Sequence, residues 1–183
     1  MKAYLLCGSS LLLLMLSGCS TAPRSQADRE ILEKEANVTI DKFKAADPGL
    51  QGFIDHAAGY AVFPSIGKGG WVLGGAYGRG ILYEQRPGGA VATGYLDTTH
   101  ATIGLQWGGQ TFSEIVCLET GEAVSNLKYG KVKISGSVSA VAAKAGASAA
   151  AHYSDSVAVF TMSEAGLMLE GAVGGQKFGF LPK

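Results

Sequence analysis

The chain has 183 residues, with 15 Lys and Arg against 15 Asp and Glu, 47% hydrophobic residues and 27 glycines. A balanced charge excludes the global basic excess of a nucleic-acid binder, and the length suits one domain large enough to bury a full core. With cysteine only at positions 7, 19 and 117, a disulfide-built scaffold is excluded as well.

From Met1 the chain carries one positive charge, Lys2, then a leucine-rich core at Leu11 to Leu16, then Leu16-Ser17-Gly18-Cys19. The core is shorter than the ~20 residues needed to span a bilayer, so it reads as a secretion signal that is removed. The small residues before Cys19 match a bacterial lipoprotein processing box, whose cysteine is acylated and becomes the new N-terminus. Residues 1–18 are therefore expected to leave, 19–26 to form a lipidated tether, and 27–183 to fold as one domain. Two or three acyl chains on Cys19 make a stable anchor, since one alone is marginal. The signal takes only Lys2 among charged residues, leaving 14 basic against 15 acidic groups, so attraction to anionic lipid has to come from local clustering. Cys7 leaves too, and Cys117, inside Ile115-Val116-Cys117-Leu118, reads as a buried, inert thiol.

Ala27 to Ala46 is helical in pattern: Leu32, Ala36, Ile40 and Phe43 form one stripe with Ile31 beside it, and Arg29, Glu33, Lys34, Asp41 and Lys44 lie largely opposite. Its mixed charges favour packing on a core over a basic membrane face. Asp47-Pro48-Gly49 ends it, and a second short helix is expected from Leu50 to Ala58.

Gly59 to Glu84 reads as strand Tyr60 to Phe63, a turn from Pro64 to Gly70, and a longer strand Trp71 to Tyr83. One face of the longer strand holds Trp71, Leu73, Tyr77, Arg79, Ile81 and Tyr83. The other is nearly bare, with Gly74, Gly78 and Gly80, which implies a closely approaching backbone or a sharply coiled sheet. Nucleotide-loop patterns fail, because Val72 stands where G-x-G-x-x-G needs its third glycine, and Val62 and Gly69 break the P-loop spacing.

The elements Phe63-Pro64, Lys68-Gly69-Gly70 and Gly74-Gly75-Ala76-Tyr77-Gly78-Arg79-Gly80 resemble the signature of the lipid-binding SYLF domain family. The likeness continues through Gly104 to Gln110, Ser113 to Val116 and Leu169 to Ala172, over roughly residues 30 to 175. The family includes eukaryotic phosphoinositide- and actin-binding proteins and many bacterial secreted lipoproteins, so the resemblance implies lipid binding more than a reaction. By the same analogy, Ser20 in place of an aspartate after Cys19 implies the periplasmic face of the outer membrane.

Arg86-Pro87-Gly88-Gly89 is a turn, with Ala90 to Leu96 returning as a partner strand. Ala101 to Trp107 alternates, and Gly108-Gly109 turns it into Gln110 to Leu118 as another hairpin. Glu119 to Leu127 is weakly helical and leads into Lys128-Tyr129-Gly130-Lys131-Val132-Lys133, the densest basic cluster. Val132 to Ala140 alternates, the alanine-rich 140–151 leans to strand, Ser156 to Met162 and Leu167 to Val173 make a hairpin, and Lys177 to Leu181 ends the chain. The class is α+β, mainly β: an antiparallel glycine-rich sheet curled as a barrel or sandwich, with the N-terminal helices packed on it and closing one opening.

No G-x-S-x-G elbow or H-E-x-x-H pattern occurs. His56, His100 and His152 are far apart and without ligand spacing, so they read as exposed or hydrogen-bonded, and Glu114, Glu119 and Glu122 read as exposed carboxylates. A non-enzymatic lipid-binding module without cofactor or metal is therefore expected, with Cys19 as the lipid attachment. Lys68, Trp71, Arg79, Lys128, Lys131 and Lys133 are the candidate contacts to anionic headgroups. The alternative is a structural or interaction module that binds another envelope protein through a sheet edge.

Overall fold

The computed structural model describes residues 23, 25–70, 73–103, 110–132, 134, 140–142, 146–163 and 176–183. Helix α1 (Gln26–Ala46) starts on a capping box in which Ser25 and Asp28 exchange side-chain-to-backbone bonds. Its expected stripe is the buried one: Leu32, Ala36, Ile40 and Phe43 face the sheet, while Ile31 remains exposed. Helix α2 (Leu50–His56) adds Leu50 and Ile54 to the same core.

Four long strands follow: β1 (Gly59–Gly70), β2 (Leu73–Arg86), β3 (Gly89–Ile103) and β4 (Gln110–Leu118). After helix α3 (Gly121–Lys128) come β5 (Ala140–Ala142), β6 (Val157–Ser163) and β7 (Gln176–Pro182). One sheet holds them in the order β5-β6-β4-β1-β2-β3-β7.

Several expectations are corrected. Pro64 to Gly70 is no turn: β1 runs through it, with a bulge between Val62 and Ser65 that keeps both neighbours paired. β4 forms no hairpin with β3, because it fills the second side of β1 while β3 pairs with β2 and β7. Strand β5 lies parallel to β6, so the sheet is not wholly antiparallel. Among the described residues of the alanine run, Ala140–Ala142 is extended and Ala147–Ala150 forms a 3-10 turn. The Leu167 to Val173 strand lies outside the described residues.

The sheet is neither a sandwich nor a hydrogen-bonded barrel, but it curls hard. In a flat sheet β4 and β7, four strand intervals apart, would stand about 19 Å from each other. Instead Gln176 Nε2 of β7 donates to Glu114 Oε1 of β4 at 2.7 Å, and the Phe63 and Phe178 rings lie 5.9 Å apart. Ile134 bridges β7 at Gln176, whereas β5, six residues on, pairs with the opposite edge.

The curl divides the core in two. The outer face packs Tyr60, Val62, Ile81, Tyr83, Tyr95, Ile115, Cys117 and Phe160 under α1 and α2. The inner face packs Ala61, Phe63, Ile66, Leu82, Leu96, Val116 and Leu118 against Ala123, Val124 and Leu127 of α3. The opening is therefore filled by α3, not by the N-terminal helices, which lie on the outside.

The bare face of β2 is the inner one, and it is tight. A Cβ on Gly80 would lie 2.5 Å from the Val62 carbonyl oxygen and 2.6 Å from the Phe63 ring. On Gly78 it would lie 2.6 Å from Ile66 Cγ1. These glycines admit the bulged part of β1.

Candidate functional site

The structure distributes the sequence-predicted basic residues over three places. Lys68 points into the curl, where it is buried. Across the strands its backbone pairs with Ala76, which pairs with His100, which pairs with Gln176. At this level of the inner face, Lys68, Thr98, His100, Glu114 and Gln176 are all buried. Gln176 Nε2 donates both to Thr98 Oγ1 at 2.8 Å and to Glu114 Oε1 at 2.7 Å, tying three strands together.

The electrostatics follow from burial. Desolvation pushes the Glu114 carboxyl up to about 7, only partly offset by the Gln176 bond. Desolvation, and then the neighbouring Lys68 charge, lower His100 to about 4, so its ring is neutral, and its Nε2 is buried without a hydrogen-bond partner. Glu114 is therefore not the exposed carboxylate expected, and His100, expected to be exposed or hydrogen-bonded, is buried with Nε2 unpaired, because each shares parity with the inward residues of its strand. Among the described residues no group of three His, Cys, Asp or Glu side chains stands ready to hold a metal ion. Cys117 is buried as expected, and desolvation raises its thiol to about 12, far from a nucleophile's range.

Arg79 lies on the outer face, where α1 crosses β1 and β2. A cavity of about 410 Å³ opens there, walled by Asp28, Ile31 and Glu35 of α1, by Pro64, Ser65 and Gly67 of β1, and by Tyr77 and Arg79 of β2. Pro23, three residues before α1, closes one side. Arg79 Nε donates to the Tyr77 hydroxyl at 3.4 Å, and among the described residues no ion pair joins its guanidinium to Asp28 or Glu35. Tyr77 and Ile31 are both exposed at the rim.

Lys128 and Lys131 occupy the third place, the turn after α3. Lys128 Nζ pairs with Glu84 Oε1 at 2.6 Å and lies 5.5 Å from the Phe180 ring. Burial alone would raise the Glu84 carboxyl, but the bonds from Lys128 and Thr93 hold it below its ordinary range. Tyr129 is 76% exposed, with the Lys131 ammonium 5.6 Å from its ring. This turn lies inside the curl's far mouth, seven residues along β2 from Tyr77, or roughly 23 Å, and on the other face of the sheet. Cys19, Trp71 and Lys133 lie outside the described residues.

One headgroup-binding patch therefore does not assemble from all the candidates. The cavity around Arg79 was missed in sequence, since its two carboxylates come from the polar side of a helix some 45 residues upstream. A scan against protein-family models finds none that matches the chain, and a search of curated proteins finds no match.

Proposed function

We propose that the chain is a non-enzymatic lipoprotein of the bacterial envelope, anchored through acylated Cys19 at the outer membrane and facing the periplasm. On this reading the folded domain binds membrane lipid beside its anchor. The observation that carries it is the Arg79 cavity, which is walled by Pro23, only four residues after Cys19, and rimmed by the exposed side chains of Ile31 and Tyr77. A cation on the wall of a cavity whose rim is apolar and aromatic is suited to a lipid phosphate with its glycerol backbone at the rim. The likeness of Gly59 to Glu84 to the SYLF signature supports the same class. Among the described residues no helix is long and apolar enough to cross a membrane.

The turn after α3 favours a second contact, because its exposed Tyr129 beside Lys131 is the composition of an interfacial anchor. It ranks behind the cavity because Lys128 is already neutralised by Glu84. Protein binding by strand addition is less favoured, since one edge strand, β7, ends in Pro182 and Lys183 and has Gly130 against its Phe178 carbonyl.

The test uses the mature chain with Cys19→Ser, which retains every buried residue of both cores. It is expected to float with vesicles of total bacterial phospholipid, and Arg79→Gln should weaken flotation more than Lys128→Gln with Lys131→Gln. No flotation with any vesicle, together with capture of one envelope protein by crosslinking in cells, would establish the interaction module instead.

A further inference from the structure

The cavity around Arg79 carries both signs of charge. Asp28 commits Oδ2 to the backbone of Ser25, which leaves its other oxygen for the cavity. The Glu35 side chain is exposed, and among the described residues it has no hydrogen-bond or ion-pair partner. One guanidinium among these acids is a poor receptor for a ligand of net negative charge. It is a good one for a ligand that brings a phosphate and a cation together.

We infer that this cavity takes the headgroup of a phosphoethanolamine lipid, with the phosphate on the terminal nitrogens of Arg79 and the primary ammonium between Asp28 and Glu35. The inference rests on the lipid-binding reading above and names the lipid class. Nε of Arg79 is engaged by Tyr77, so the end of the guanidinium is presented to the phosphate as a fork. A primary ammonium donates three hydrogen bonds and satisfies both carboxylates, whereas the quaternary ammonium of a choline headgroup donates none. An unsubstituted anionic headgroup offers the acids nothing. The volume, about 410 Å³, lies within the range of about 300–1,000 Å³ found for small-molecule sites. Ile31, 53% exposed, and Tyr77, 42% exposed, stand where the glycerol and first methylenes would emerge.

The mature chain with Cys19→Ser is titrated with three kinds of vesicle: phosphatidylcholine alone, and phosphatidylcholine with half replaced by phosphatidylethanolamine or by phosphatidylglycerol. Exposed ion pairs of this kind amount to a preference of about three- to tenfold for the phosphatidylethanolamine vesicles over the other two. Glu35→Gln should remove that preference, and its melting temperature should stay that of the parent because the side chain is exposed. Glu35→Lys should transfer the preference to phosphatidylglycerol. Equal binding to all three vesicles, or a preference for phosphatidylglycerol in the unmutated chain, overturns the headgroup assignment and leaves lipid binding standing. Absence of binding to all three overturns both.

Discussion

The two ends of the curled sheet's inner face are built by opposite rules. Under α3, Leu82, Val116, Leu118 and Leu127 make an apolar plug in which every group is satisfied by packing. Toward the other end the same strands bury Lys68, His100 and Glu114, with Gln176 tying Glu114 to Thr98. Burying a charge costs several kcal/mol unless it is paired or neutralised. The polar end meets that cost by keeping His100 neutral and Glu114 protonated into the neutral range. The apolar end holds the fold together; the polar end makes its stability answer to pH.

The largest expected effect breaks the seam between these ends. Gly80→Val drives a side chain into the Val62 carbonyl oxygen and the Phe63 ring, neither of which can retreat. Overpacking of this severity costs about 3 kcal/mol or more, and thermal denaturation should show a domain that is unfolded or nearly so. Gly78→Val should follow with about 1–3 kcal/mol, since its Cβ would meet the buried Ile66 side chain at 2.6 Å and the Ser65 carbonyl oxygen at 2.9 Å, farther than the nearest backbone atom at Gly80.

Next is Glu114→Gln, which isolates the polar end. The folded carboxyl titrates at about 7 against an ordinary 4.5, so between these values the folded chain binds more protons than the unfolded one. Its contribution to stability is therefore present below about pH 4.5 and lost as pH rises to about 7. Glutamine keeps an oxygen for Gln176 Nε2 and never ionises. At pH 8 the variant should be stabilised by up to about 3 kcal/mol, and at pH 4 it should match the parent. His100, held at about 4 against 6.5, acts with the opposite sign, adding stability as pH rises from about 4 to 6.5. The variant's melting temperature should thus rise steadily over that interval, where the parent's is nearly level.

The smallest effect sharpens what the glycines mean. A Cβ on Gly67 meets nothing within 4 Å. Gly67→Ala should leave the melting temperature unchanged or raise it by the equivalent of about 0.5–1 kcal/mol, in contrast to the two glycines of β2.

Much of this was legible in sequence, and the remainder fails for physical reasons. The α1 stripe, the bare face of β2 and the inert Cys117 follow from periodicity and composition, which are local. The pairing of β4 with β1 is not local, nor is the curl that brings Gln176 to Glu114 across four strand intervals. A signal for the polar end was nevertheless present. Glu114 shares parity with Phe112, Val116 and Leu118, and Lys68 with Ile66, so alternation already placed both charges on the inner face. Charge suggested the opposite, and parity was the better guide. The Arg79 cavity left no such trace, because a helix and two strands meet there only in the fold.

The central claim is that the side of the domain carrying Arg79, next to the tether, lies against the bilayer. It is tested most directly by placing an environment-sensitive fluorophore at Ile31→Cys or at Tyr129→Cys in the chain with Cys19→Ser, and adding vesicles that carry nitroxide-labelled lipid. Cys117, buried and with its thiol raised to about 12, stays unlabelled. Quenching at position 31 that clearly exceeds quenching at position 129 is the predicted result; quenching at position 129 with none at position 31 would contradict the account and give the membrane contact to the turn after α3.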